Sequence, residues 1–324
     1  MQQTRRIINA KAEYRRIHSE YDLPIQFTPQ WMDAVCIRGD WDVALAKNGG
    51  GELTGVLVYH IRKYRGFTLI LMPPMTAYNG IHIFYPSDYK AHKRVSHEIK
   101  VTKELMDQLP KCSLYFQQYY PDFKNWLPFH WEGYEQTTRY TYLMDKTIGK
   151  DTLREKLKGN LRRSFNQLEK ITEIRDHNYD SIYPLIVKSF EKKNKPLPYN
   201  PIAIRQLFEN FKGTDRIIAK GCHLMETGEL MAGVVIARDR SRNYGIINFN
   251  MPDATPNGAL GYLIWETMFQ LDTIVTDFEG SMIKEVEFYL RAFGGQLTPH
   301  YKIKKIHNPL LKLLFSIKKP DLLA

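Results

Sequence analysis

Apolar residues recur along this chain at two spacings, and the switches between them mark its elements. In the C-terminal half, Leu153, Leu157, Leu161, Phe165 and Leu168 recur at helical spacing. They predict one helix over DTLREKLKGNLRRSFNQLEKI (151–171), weakened at Gly159 by about 1 kcal/mol relative to alanine. QTTRYTYLMD (136–145) before it and TEIRDH (172–177) after it read as strands. Helices are expected at 181–193 and 201–211, then strands near 216–225, 230–238 and 244–250. A helix at 258–271, a strand at 274–280, a helix at 283–293 and a strand at 297–306 complete the half. Strands and helices alternate, but hairpins are embedded, so a mixed α/β sheet is expected rather than an all-parallel one.

The first half repeats this order in degenerate form. GELTGVLVYHIRKYRGFTLILMP (51–73) matches GELMAGVVIARDRSRNYGIINFNMP (228–252): a Gly-Glu-Leu turn, a strand, a basic hairpin tip, a strand and a Met-Pro stop. Asn79-Gly80 and Asn257-Gly258 follow, each before a helix pattern. SLYFQQYYP (113–121) then takes the place of VTDFEGSMI (275–283), and Tyr140 the place of Tyr301. The shared order favours a duplicated supersecondary unit over a short-period repeat.

A chain of 324 residues with 43% hydrophobic and 13% aromatic content can fill one large core or two ordinary ones. The formal net charge of +11 favours anionic partners, although surface lysines alone explain it equally well. Cys36, Cys112 and Cys222 are odd in number and far apart. They point to a reducing compartment and to neither a disulfide frame nor a zinc site. His92 and His97 share no helix face, so no metal site is expected. MQQTRRIINAKAEYRR has basic residues without an apolar core behind them, which is not a secretory signal, and no apolar run approaches the ~20 residues of a bilayer span. The expected location is cytoplasmic.

The element order, taken with WMDAVCIRGDWDVALA (31–46), MPPMTAYNG (72–80), LRRSFNQLEK (161–170) and DFEGSMIKEVEFYLRAFGG (277–295), resembles the Fem family of tandem-GNAT transferases, the peptidoglycan-bridge aminoacyltransferases, and related GNAT-type N-acetyltransferases of the Bacteroidetes. The resemblance runs along essentially the whole chain. It implies two GNAT-like domains in tandem, 1–135 and 136–306, each a mixed, mainly antiparallel sheet flanked by helices. A basic amphipathic helix follows at 307–324. It implies transfer of an acyl or aminoacyl group from acyl-CoA or aminoacyl-tRNA to an amine of an anionic small molecule or cell-wall precursor. The donor is a co-substrate, and no tightly bound cofactor is implied. Acetyl-CoA-binding relatives carry a Gln/Arg-x-x-Gly-x-Gly/Ala turn whose N–H groups hold the pyrophosphate. Here TPNGALG (255–261) keeps Gly258, Ala259 and Gly261 as a phosphate nest but has Thr255 and Leu260 where the pattern differs. That departure keeps a second reading open: a non-catalytic binding or scaffold protein on the same fold. Aminoacyl-tRNA users often carry a coiled-coil arm, and no sustained heptads occur here.

Several residues are candidates for chemistry. Asp277 and Glu279, two apart on the expected strand, would face one side with Val275 and Ser281. Either one carboxylate accepts the proton of an attacking amine, with Ser281 beside the substrate, or both decorate a solvated edge strand. Tyr301 either protonates a leaving thiolate or is a core aromatic with a satisfied hydroxyl. The resemblance places the donor arm along the strand ending at Asn250, near an oxyanion-holding amide. Tyr199, in KPLPYNP, is a lid residue or part of a proline-rich turn. Arg162, four residues after Lys158 and eight after Arg154, either grips a substrate anion or belongs to a solvated basic face. Glu287 and Arg291 read as a surface ion pair over a buried stripe of Ile283, Val286, Leu290 and Phe293. Asn308, Pro309 and Pro320 bound a tail helix with apolar residues and Lys312, Lys318 and Lys319. It either rests on an anionic membrane or docks on the domain.

Overall fold

The computed structural model describes residues 2–86 and 90–317. The chain forms two compact units, Met1–Arg139 with Pro299–Ala324, and Tyr140–Thr298. The first unit is therefore discontinuous in sequence.

In the first unit α1 (Gln2–Ile17) and α2 (Pro29–Val35) precede β1 (Asp40–Lys47), β2 (Leu53–Tyr64), β3 (Phe67–Leu71) and β4 (Gly80–Ile83). α3 (Ala91–Met106), β5 (Leu114–Gln118) and α4 (Leu127–Trp131) follow, and β6 (Glu135–Asp145) carries the chain into the second unit. There α5 (Lys150–Lys156), α6 (Gly159–Ile171), β7 (Thr172–His177), α7 (Tyr179–Lys192) and α8 (Pro201–Asn210) lead to β8 (Ile217–Leu224), β9 (Leu230–Arg238) and β10 (Arg242–Asn250). α9 (Ala259–Gln270), β11 (Val275–Asp277) and α10 (Lys284–Arg291) complete it. β12 (Gln296–Ile306) returns to the first unit, which ends on α11 (Pro309–Ile317).

The two units have matching strand order. In the first, β1, β2 and β3 are antiparallel neighbours, β3 is parallel to β5, and β5 is antiparallel to β12. In the second, β8, β9 and β10 are antiparallel, β10 is parallel to β11, and β11 is antiparallel to β6. Thus the strand that ends each half of the sequence pairs with the other half's parallel strand. β4 adds to β2 and β7 adds to β8. The fold is a mixed α/β one with mainly antiparallel strand pairing.

Burial explains the element types. β9, LMAGVVIAR, is buried from Leu230 to Ala237 and reads as an unbroken apolar run, because α7 and α9 both pack on it. α9 is apolar nearly all round for the same reason, with Leu263, Trp265 and Met268 in the core. The first unit's core is rich in aromatics and internally hydrogen-bonded. Gln117 Nε2 donates to the Val58 carbonyl (2.9 Å) and to Asn79 Oδ1 (3.2 Å), and Trp31 Nε1 donates to Thr76 Oγ1 (2.9 Å).

Three expectations change. The helix expected over 151–171 is two helices, because Lys158 takes an extended ψ of 137° and its N–H bonds the Ala292 carbonyl (2.9 Å). The strand expected over 274–280 ends at Asp277, because Glu279 and Gly280 are left-handed, with φ of 55° and 63°. The α10 stripe is narrower than expected: Leu290 and Phe293 are buried, while Ile283 and Val286 are exposed. The boundaries expected at 135/136 and 306/307 compare with unit boundaries at 139/140 and 298/299, and α11 lies in the first unit. Its Leu311 is buried against Leu69, Leu71 and Leu114, while Leu310 and Leu313 are exposed. Asn308 Oδ1 caps it, accepting from the Leu310 N–H (2.9 Å). Lys318, Lys319 and Pro320 lie outside the described residues.

Candidate active site

The parallel ladder of β10 and β11 ends at the pair Tyr244–Asp277, yet β10 runs on to Asn250. Among the described residues no strand pairs with that last stretch of β10 on the β11 side. A cleft of about 490 Å³ opens there, wholly within the second unit. Val234 and Ile236 of β9, Leu260, Ile264 and Met268 of α9, and Leu290 of α10 give it an aliphatic wall. Tyr199, Asn243, Asn248, Thr276, Asp277, Glu279 and Tyr289 supply its polar groups.

Asp277 is buried at the end of β11 and heavily engaged. Its Oδ1 accepts from Thr141 Oγ1 (2.7 Å) and from the Glu279 N–H (2.8 Å), and its Oδ2 lies 3.8 Å from Arg242 Nη1. The Glu279 contact bends the chain out of the strand, so the alternation expected for a strand does not extend to Glu279. Glu279 is half-buried, lines the cleft, and adopts a left-handed conformation uncommon for a residue with a Cβ. Such strain is held only where the surroundings over-determine it. Gly280 completes the turn, and a Cβ there would overlap the Tyr140 carbonyl oxygen. Gly280→Ala is expected to cost about 2–4 kcal/mol, a clear drop in Tm by calorimetry. An unchanged Tm would show that the turn is not fixed by this contact.

Tyr199 enters the cleft from the connection between α7 and α8, its ring edge-on to Phe190. Burial, and then the nearby charge of Glu279, raise the pKa of its hydroxyl. The hydroxyl therefore stays protonated as a hydrogen-bond donor. Tyr289 comes from α10, and burial likewise raises its pKa. Its Oη would lie 2.7 Å from a Cβ at Gly261, so the glycine permits this approach to the first turn of α9. Gly258, with φ of 103°, is the N-cap of α9 and offers no side-chain cap. Leu260 of that first turn lines the cleft, whereas Gly258, Ala259 and Gly261 flank the turn without lining it.

The structure thus brings Asp277, Glu279 and Tyr199 to one cleft, with the α9 N-terminal turn beside it. Other candidates lie elsewhere. Asn250 has an exposed side chain, and its carbonyl accepts from Ser189 Oγ (3.0 Å). Ser281 Oγ accepts from the Ile283 N–H (3.1 Å) at the entry to α10. Arg162 is exposed on α6. The break at Lys158 separates it from Arg154, which bonds Asn166 and Glu169, and from Lys158, which lies over the Phe288 ring. Tyr301 belongs to the first unit, half-buried against its core, with its carbonyl accepting from the Tyr119 N–H (2.8 Å). Glu287 and Arg291 pair at 3.5 Å, and Glu287 also accepts from Tyr142 Oη (2.6 Å).

Sequence reasoning gave no role to Thr276, Asn243, Tyr289 or Arg242. Thr276 is buried, and its Oγ1 has no hydrogen-bond partner among the described residues. A threonine in a strand carries no signal of this kind, since the residue is an ordinary strand former. Arg242 carried no signal either, because its place opposite Val275, two residues from Asp277, comes from a pairing of distant strands.

These features define a Fem-like, GNAT-type fold. The structure superposes on a crystal structure of FemX with a TM-score of 0.67 at 12% identity, covering 94% of this chain and 98% of that one. L-PGS from Bacillus licheniformis gives a TM-score of 0.53 at 10% identity over 88% of this chain and 91% of that one. A conserved protein of unknown function from Bacteroides thetaiotaomicron VPI-5482 gives 0.55 at 10% identity over 90% and 96%. No protein-family model matches the chain, and no curated protein matches it. No helix among the described residues is long and apolar enough to cross a membrane.

Proposed function

We propose that the second unit transfers an acyl or aminoacyl group from an activated donor to an amine of an anionic acceptor. The observation that carries this reading is the cleft opened where β10 outruns β11, with Glu279 and Tyr199 facing into it. The unpaired edge of β10 would hold the donor by its backbone, and the α9 N-terminus would take the donor's phosphate. The acceptor amine attacks the donor carbonyl carbon, and the β10 N–H groups stabilise the oxyanion. Glu279 takes the amine proton as the C–N bond forms. The proton passes to the leaving thiolate or hydroxyl as the carbon–sulfur or carbon–oxygen bond breaks. Asp277 positions Glu279 through its N–H. The acceptor is a small molecule or a cell-wall precursor, and the setting is cytoplasmic, where Cys36, Cys112 and Cys222 stay reduced as free thiols. The matching strand orders of the two units support descent from a duplicated unit.

The test is a panel of acyl-CoA esters and aminoacyl-tRNAs, scored by thermal shift and by product mass. A donor that raises Tm and yields an N-acylated amine is expected. Failure of both donor classes to bind overturns the reading. Leu260, whose side chain lines the cleft from the phosphate-binding turn, favours one alternative: a donor-binding protein that does not turn over. It predicts a shift in Tm with no product.

A further inference from the structure

The cleft of the second unit is lined in a way that the transfer chemistry alone does not require. Leu260, Ile264 and Met268 are four residues apart on α9 and form one ridge along it. At the rise of an α-helix that ridge is about 12 Å long. α9 packs on β9, and Val234 and Ile236, two apart on one face of that strand, line the same cleft of about 490 Å³. β10 adds no bulk beside them, because the register partner of Ile236 is Gly245, which also lines the cleft. The apolar surface continues to the mouth. Val286 lines the cleft yet is 40% exposed, and Ile283, three residues earlier, is 61% exposed. Apolar surface left open next to a cleft marks a place for an apolar ligand.

The polar lining is sparse and of one sign. No lysine, arginine or histidine is among the residues that line the cleft. Asp277 is engaged by Thr141, by the Glu279 N–H and by Arg242, and Glu279 lies two residues past the end of β11. Thr276 turns a buried hydroxyl without a partner toward the cleft. These features discriminate between acyl groups. A dicarboxylic acyl group such as succinyl meets two acids and no cation. An aminoacyl group sets an ammonium against aliphatic carbon, a desolvation that only Glu279, the proton acceptor of the transfer, could offset. An acetyl group leaves the ridge without contacts. A hydrocarbon chain fits every part of the wall but the Thr276 hydroxyl.

We propose that this slot receives an apolar acyl chain, so that the donor of the transfer is a thioester of a medium-chain fatty acid. An extended chain advances about 1.2 Å per bond, as a peptide backbone does, so the ridge accommodates roughly eight to ten carbons. The thioester carbonyl lies at the unpaired edge of β10, and the chain runs from there along Leu260, Ile264 and Met268. The C–N bond to the acceptor amine forms, the C–S bond breaks, and the thiol leaves with the amine proton by way of Glu279. This inference rests on the transfer reading, since it names the group transferred.

Titration calorimetry with straight-chain acyl-CoA esters from acetyl to dodecanoyl, without acceptor, tests it. Affinity is expected to rise about fourfold per methylene and to level off once the chain outgrows the ridge. Acetyl-CoA bound as tightly as octanoyl-CoA overturns the inference and leaves the transfer reading standing. So does succinyl-CoA bound more tightly than butanoyl-CoA, or aminoacyl-tRNA bound in place of every acyl-CoA. No binding by any donor overturns both. Octanoyl-pantetheine bound as tightly as octanoyl-CoA supports the chain and points to a carrier protein as its source; weaker binding supports it with the coenzyme as source. Ile264→Phe fills the slot from a partly buried position. It is expected to lower the ratio of octanoyl to acetyl affinity roughly tenfold or more, the loss of about two buried methylenes. Ile264→Ala is expected to move the plateau to longer chains. Thr276→Val keeps the shape without the hydroxyl and is expected to tighten octanoyl-CoA. An unchanged ratio in Ile264→Phe, or weaker octanoyl binding in Thr276→Val, overturns the inference.

Discussion

Asp277→Ala is expected to destabilise the protein by about 3–5 kcal/mol, the range for removing one partner of a buried ion pair. The substitution strips two donors of their acceptor, the Thr141 hydroxyl and the Glu279 N–H, and removes the carboxylate 3.8 Å from the Arg242 guanidinium. Arg242 is the most costly, since its side chain is only 12% exposed and would keep its charge. Asp277→Asn retains an amide oxygen for Thr141 and for the Glu279 N–H but loses the charge that faces Arg242. Its penalty should therefore fall between wild type and the alanine variant. Urea unfolding checks both, with the midpoint moving and the slope constant. A midpoint for Asp277→Ala within error of wild type would mean that Arg242 finds another acceptor and that Asp277 is not the anchor of the turn.

Glu279→Gln is expected to lower the rate of transfer by about 10²–10⁴, the contribution of a positioned general base. The amide keeps the size and the hydrogen bonds of the side chain but accepts no proton at neutral pH. Tm should stay close to wild type, because the backbone N–H, not the carboxylate, ties Glu279 to Asp277. The loss should fall on kcat with KM little changed, the mark of a group acting in the transition state. Tyr199→Phe, which removes the donor beside Glu279, should lose less. Full activity in Glu279→Gln would assign the proton to another acceptor. Equal losses in rate and in Tm would make the residue architectural.

Element order was legible because it rests on periodicity and on glycine and proline punctuation. The run LMAGVVIAR and the paired hairpins announce their strands without tertiary information. Two things were not legible. Pairing between distant segments leaves no local trace, so nothing in QTTRYTYLMD says that its last residues join Val275–Asp277 rather than Leu114–Gln118. Positions where tertiary hydrogen bonds override propensity also escape. Lys158 sits within a regular helical stripe but is drawn out of it by the Ala292 carbonyl. The site was legible as DFEGS, but not the division of labour within it. Both carboxylates look alike in sequence, whereas the structure buries Asp277 among donors and leaves Glu279 open to the cleft.

The return of β12 to the first unit has a consequence for how the protein is made. On the ribosome, the segment up to Arg139 emerges first but lacks the strand that pairs with β5. The second unit, Tyr140–Thr298, is one unbroken stretch that can close its own sheet as soon as β11 meets β6. Only after Ile306 has left the exit tunnel can Lys302–Ile306 seal Leu114–Gln118. Of the two units, the one whose synthesis starts earlier is thus finished later. Until then it presents an open strand edge that must wait, unpaired, for the far end of the chain.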